Sequence, residues 1–262
     1  MENIKEAFFI TIIAALFTIV GTLMGIIYKN KNKKFLSYAL GFSGGIMLYL
    51  SFIEILPEAR EGLVEELGKM SGNAVAIISF FFGMLLVGMV DKILPNLEKE
   101  NSEEIIDDGE FKCLYKMGVL SAITIGIHNF PEGLAVFFSG MKDLRLGFTM
   151  MVAIGLHNMA VGLAIGIPIY YSTGSKKKAI LFSSVTALCA PLGALLGYSI
   201  MLQFLNETVF GIIFGIVAGM MVFISLDEIL PTAEEYGEHH TVIYGVISGM
   251  FVMAVSLVLM HH

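Results

Sequence analysis

Eight runs of mainly apolar residues divide this 262-residue chain almost from end to end, at 8–28, 35–57, 74–95, 115–139, 146–171, 178–202, 208–231 and 241–260. Each is about the 20 residues that a helix needs to cross the hydrocarbon core of a bilayer. Backbone polar groups find no water there, so each run must satisfy its own hydrogen bonds as a helix. Too little sequence remains between the runs for a separate soluble domain. The expected architecture is therefore all-α: a single integral membrane domain over 1–262, with eight transmembrane helices in a lipid bilayer. Apolar side chains make up 56% of the chain and charged ones 15%, at a mean hydropathy of +0.80, which excludes an ordinary soluble enzyme or binding module. The first run is of full span length and lacks a basic flank and a small-residue cleavage site, so no cleavable leader is expected.

Orientation follows from lysine and arginine. The connections after spans 1, 3, 5 and 7 hold eleven: Lys29, Lys31, Lys33, Lys34, Lys92, Lys99, Lys112, Lys116 and Lys176 to Lys178. The other side holds five: Lys5, Arg60, Lys69, Lys142 and Arg145. The richer side reads as cytoplasmic, so both termini are expected outside. The net charge of −7 comes largely from loops, and no nucleic-acid partner is expected. Cys113 and Cys189 form no C-x-x-C pair and say nothing of redox compartment.

Two polar motifs recur inside the apolar runs. His128-Asn129-Phe130-Pro131-Glu132-Gly133-Leu134-Ala135 returns 29 residues later as His157-Asn158-Met159-Ala160-Val161-Gly162-Leu163-Ala164. Ser51-Phe52-Ile53-Glu54-Ile55-Leu56-Pro57 returns 174 residues later as Ser225-Leu226-Asp227-Glu228-Ile229-Leu230-Pro231. In each case the two copies lie on spans of opposite direction. That is the mark of inverted-topology repeats, which in secondary transporters place their sites near the bilayer midplane.

His128 and Glu132 are four residues apart and share a helix face. Pro131 between them removes a donor and obstructs the carbonyl of Ile127. An imidazole, a carboxylate and a bare carbonyl are ligands for a divalent first-row metal. A lone intramembrane histidine can equally serve as a hydrogen bond between helices. The carboxylate, the proline and the second copy together favour metal, because an uncompensated ionisable group is expensive at membrane depth.

The H-N-F-P-E-G element, the second H-N element, the eight-span layout and the paired E-I-L-P segments resemble the ZIP (Zrt/Irt-like) metal transporters, in particular their bacterial ZupT-like zinc/iron branch. The resemblance covers essentially the whole chain. It implies uptake of a divalent metal into the cytoplasm, zinc foremost, with Fe²⁺, Mn²⁺ and Cd²⁺ as alternatives, and no enzymatic activity. It also implies a bacterial inner membrane location, a homodimer, and a 3+2+3 bundle. Helices 1, 4, 5 and 6 of that bundle move against helices 2, 3, 7 and 8 in an elevator-type alternating-access cycle. The implied metal residues are His128, Asn129 and Glu132 in helix 4 and His157 and Asn158 in helix 5.

The chain departs from the family pattern where further ligands are expected. Helix 5 has Ala160 and Val161 in place of a proline and a bridging glutamate, and helix 6 has Ala190 in place of the glutamate before Pro191. Two adjacent metal ions need anionic ligands to offset their repulsion. A single ion held by His128, Glu132 and His157 is therefore expected, with Asn129 and Asn158 as weak oxygen ligands or as groups that orient the others. The alternative is a transport-impaired relative that binds metal as a sensor, or an experimental variant.

Other polar residues carry two readings. Glu54 and Glu58 near the end of span 2, and Asp227 and Glu228 near the end of span 7, are either interface anchors or stations on the metal pathway. His239 and His240 follow Glu234, Glu235 and Glu238 and would receive metal on the cytoplasmic side. The acids of 96–114 read as a solvated loop, and Asp91 as a local partner of Lys92. The 17 methionines read as core filling, with Met159 beside the second H-N element the one to watch. Neither H-E-x-x-H nor a P-loop occurs, which excludes a zincin-type protease and argues against ATP-driven pumping.

Overall fold

A computed structural model describes residues 3–28, 33–102, 126, 129–130, 132–201 and 206–261. It is helical almost throughout. Helix α1 is Ile4–Tyr28. Helix α2 begins as Lys33–Leu50, passes through a π turn at Ser51–Ile55 and continues as Leu56–Leu67. Helix α3 is Lys69–Ser102, and α4 is described at 132–142. Helices α5 and α6 are Leu144–Thr173 and Lys176–Met201. Helix α7 is Glu207–Ile224, with a π turn at Ser225–Ile229 and a last segment Leu230–Tyr236; α8 is His239–His261. Among the described residues seven helices are long and apolar enough to cross a membrane, which makes the chain an integral membrane helical bundle.

The expected spans fall on these helices, with different ends. Span 2 runs past 57 to Leu67, and span 3 past 95 to Ser102, so the expected loop at 96–114 starts inside α3. The rest of that loop, most of span 4, His128 and Pro131 lie outside the described residues. The joints follow local chemistry. Gly68 takes a φ of +79° and breaks α2 from α3. Asp143 caps α5, its Oδ1 accepting from the backbone N–H groups of Arg145 at 2.7 Å and Leu146 at 3.0 Å. Gly174 ends α5 at a φ of +63°, its N–H bonding the Tyr170 carbonyl.

Both π turns lie just before a proline. Leu56 N–H reaches back five residues to the Ser51 carbonyl, and Leu230 N–H likewise to Ser225. Pro57 and Pro231 lack the N–H that would continue the α ladder and crowd the carbonyl four residues earlier, and one widened turn relieves that clash.

Helices pair through glycine. α2 packs on α8, α3 on α7, and α1 on both α5 and α6. A Cβ on Gly45 would lie 2.2 Å from the Val246 carbonyl oxygen, and one on Gly219 would lie 1.9 Å from that of Phe80, so backbone meets backbone at these crossings. The largest core cluster joins Ile46, Met47 and Leu50 of α2 to Phe137 and Phe138 of α4, Ile154 of α5 and Met221 of α7.

Candidate metal centre

His157 sits 14 residues after the N-cap Asp143, about 20 Å along the axis of α5 and thus close to mid-membrane. Its ring is 3% exposed. Nε2 stands 3.3 Å from Oε1 of Glu132, a side chain of α4 that is 1% exposed. Neither carboxylate oxygen has a hydrogen-bond partner among the described residues. The other ring nitrogen, Nδ1, is hydrogen-bonded to Ser43 Oγ, itself fully buried in α2. Three helices thus meet at one imidazole, and the serine fixes its orientation. A buried carboxylate without donors costs several kcal/mol unless a cation faces it.

The two asparagines are held alike. Asn129 Nδ2 donates to the Thr186 carbonyl of α6 at 3.0 Å, and Asn158 Nδ2 donates to the Ala14 carbonyl of α1 at 3.0 Å. Both side chains are fully buried, and both leave Oδ1 without a partner. With the amide nitrogen committed to a backbone carbonyl, the free end of each side chain is an oxygen with its lone pairs unused.

The same correspondence continues one turn further. A Cβ on Gly133 would lie 1.9 Å from the Ala190 carbonyl oxygen, and one on Gly162 would lie 2.0 Å from that of Thr18. Gly193 abuts the Phe130 carbonyl as Gly21 abuts that of Met159. Each α4 residue differs from its α5 counterpart by 29, and each α1 residue from its α6 counterpart by 172. The relationship seen in the two H-N elements therefore extends to the helices they dock on.

Val161 is 4% exposed and packs with Ile26, Ile165, Ile169 and Ala179; Ala190 is 3% exposed and packs with Ala15 and Ala187. Both positions are filled by hydrocarbon. Among the described residues no three His, Cys, Asp or Glu side chains converge as a metal cluster. His128 lies outside those residues, so Glu132 and His157 are the members of the expected set seen together.

The remaining candidates lie toward the ends of the bundle. Glu58 pairs with Lys142 of α4 at 2.7 Å, and Lys142 also reaches Glu207 of α7 at 3.5 Å. Burial lowers the lysine's proton affinity, but the two carboxylates outweigh it and hold Lys142 above its ordinary pKa. At the opposite end His239 Nδ1 meets Glu234 at 2.6 Å, and its ring is edge-on to His240, both exposed. Glu238 pairs there with Lys34 at 3.0 Å. Glu54 and Glu228 are half-buried and Asp227 is exposed, all within the π turns; among the described residues none forms a three-ligand group with Glu132 and His157. The contacts made by Ser43, Lys142 and the carbonyls of Ala14 and Thr186 were not legible in the sequence, because serine, lysine and backbone carry no metal motif.

A bundle with seven membrane-length apolar helices among the described residues, and a histidine–carboxylate pair buried between two of its helices, defines the class as an integral membrane protein. The chain belongs to the ZIP family: the family profile described as ZIP Zinc transporter matches residues 5–110 and 97–257. It is 50% identical over 260 residues to the zinc transporter ZupT of Streptococcus mutans, covering 98% of both chains. It is 49% identical over 264 residues to that of Chlorobium chlorochromatii, again with 98% of each covered. The Clostridium perfringens zinc transporter ZupT is 45% identical over 279 residues, covering 99% of this chain and 97% of the relative. It is accordingly a membrane transporter of the ZIP family and not an enzyme.

Proposed function

We propose that this chain carries a divalent transition metal, zinc first, into the cytoplasm of a bacterium by alternating access across the inner membrane. The metal is held between α4 and α5 by Glu132 and His157, joined by His128. Asn129 and Asn158 turn amide oxygens toward it, and water completes the shell. The single observation that carries the reading is the buried, donor-free carboxylate of Glu132 facing the Nε2 of His157 across a helix interface. Zinc is favoured by its named relatives; Fe²⁺, Mn²⁺ and Cd²⁺ suit the same nitrogen and oxygen donors.

The bundle reads as a 3+2+3 inverted repeat in which α1, α4, α5 and α6 travel as a unit against α2, α3, α7 and α8. Backbone contacts among the first set and glycine contacts within the second support that division. Both termini lie outside, by the lysine bias. The protein works as a homodimer. Glu54, Glu58, Asp227, Glu228, His239 and His240 lie along or near the entry and exit routes.

One ion occupies the centre, since Val161 and Ala190 supply no charge to offset a second. Uptake of radioactive Zn²⁺ into proteoliposomes tests the function: the parent chain accumulates the ion and Glu132→Ala does not. The hydrocarbon packing of Val161 and Ala190 also favours a second reading, in which the chain binds metal without efficient cycling. Zn²⁺ bound in detergent with no flux above the Glu132→Ala control would establish that reading instead.

A further inference from the structure

Thr18 of α1 is fully buried, and its hydroxyl has no hydrogen-bond partner among the described residues. A threonine inside a helix ordinarily bonds the carbonyl four residues back. Thr11 does so to Ala7 at 2.8 Å, Thr149 to Arg145 at 3.0 Å and Thr186 to Phe182 at 2.9 Å. Thr18 does not, and the carbonyl it would use, that of Ala14, is engaged by Asn158 Nδ2. One turn on, Thr22 is satisfied by the Gly162 carbonyl at 2.8 Å and by Ser183. The exception thus falls at the level of the H-N element of α5.

The position of Thr18 gives the orphan hydroxyl a use. Its backbone lies against Gly162, and Asn158 docks one turn before it. Two buried oxygens, Thr18 Oγ1 and Asn158 Oδ1, are left without donors on adjoining stretches of α1 and α5. Leaving a buried polar atom unpaired costs about 1–3 kcal/mol, a cost that a cation would offset. The counterpart of Thr18 by the 172-residue offset is Ala190, which has no polar atom to offer.

We propose that Thr18 contacts the transported ion, its hydroxyl and the Asn158 amide oxygen forming an oxygen face that favours Mn²⁺ over the softer Cd²⁺. The inference rests on the metal site proposed above between α4 and α5. Competitive proteoliposome uptake by the full chain tests it. Thr18→Val keeps the shape and removes the oxygen, and is expected to raise KM for Mn²⁺ about tenfold with kcat maintained, while KM for Cd²⁺ changes far less. Thr18→Ser restores the Mn²⁺ value. Thr18→Cys, close in size, exchanges a hard donor for a soft one and lowers KM for Cd²⁺ while raising it for Mn²⁺. It serves equally if Thr18→Val fails to reach the membrane. An equal rise for both ions, or an unchanged Mn²⁺/Cd²⁺ ratio in Thr18→Cys, overturns the proposal. Glu132→Ala separates the two levels: if it still transports, the underlying site reading fails; if it is inactive while the Thr18 variants keep the parental ratio, only the Thr18 inference fails.

Discussion

Ser43 of α2 is hydrogen-bonded to Nδ1 of His157 in α5, and so joins a helix paired with α8 to one paired with α1. With Nδ1 taken, the remaining imidazole nitrogen is the one that faces Glu132. Ser43→Ala frees the ring. Loss of such a supporting bond weakens metal binding by about 10–100-fold. Zn²⁺ titration of purified protein should place Ser43→Ala in that range, with Ser43→Thr near the parent; an unchanged affinity would mean that the bond does not orient the ring.

Glu132 sets stability against function. Without metal its carboxylate is buried with no donor, and a neutral isostere removes that penalty. Glu132→Gln is therefore expected to raise the Tm of chelator-treated protein by about 3 °C for each kcal/mol relieved. The same variant should lose the further stabilisation that Zn²⁺ gives the parent. Thermal scans with and without chelator check both halves.

The Lys142 contact should behave as a coupled pair. Lys142→Glu opposes Glu58 and Glu207, and Glu58→Lys in the same chain restores an attraction. A double-mutant cycle on thermal unfolding is expected to return a coupling of about 1 kcal/mol or less, as befits a partly exposed pair. The pH sign follows from the raised lysine. Its contribution is complete below the ordinary lysine pKa and is lost only as pH climbs through the raised value. Lys142 itself thus adds no slope to stability between about pH 6 and 9, and Lys142→Met should leave the shape of that profile unchanged.

Carboxylates restored at the two hydrocarbon positions should change stoichiometry. Val161→Glu with Ala190→Glu is expected to raise bound Zn²⁺ from about one to about two per chain, because the added charge offsets the repulsion between ions. Metal analysis of the purified double variant reads this directly. A value that stays near one would show that the apolar packing around Val161, and not charge, limits the site.

Apolar length made the described helices legible, and the H-N repeat pointed to two stretches that meet through Glu132 and His157. Contacts that depend on neighbours were not legible. Nothing near Ser43 distinguishes it from the other small residues of span 2, and its role appears only when α2 crosses α5. Thr18 and Ala14 match Ala190 and Thr186 in place but not in residue type, so the correspondence of α1 and α6 is invisible to comparison of letters. Helix ends were misjudged where polar residues continue a helix past the bilayer, as at 58–67, because apolar length does not report on helix beyond the membrane.

The π turns at Ser51–Ile55 and Ser225–Ile229 have a consequence for how these helices tolerate change in length. A widened turn holds one residue more than the α ladder needs, so it acts as a single-residue insertion already absorbed. Removing one residue there would return the helix to regular winding and leave what lies beyond it in nearly its present phase, whereas removing one from the regular turns would rotate it by about 100°. In α2 that second rotation would carry Glu58 away from Lys142, while the deletion inside the turn keeps the two within reach. A one-residue deletion in either turn is thus taken up locally, while the same deletion a turn away is a change of phase, felt by the charges at the far end.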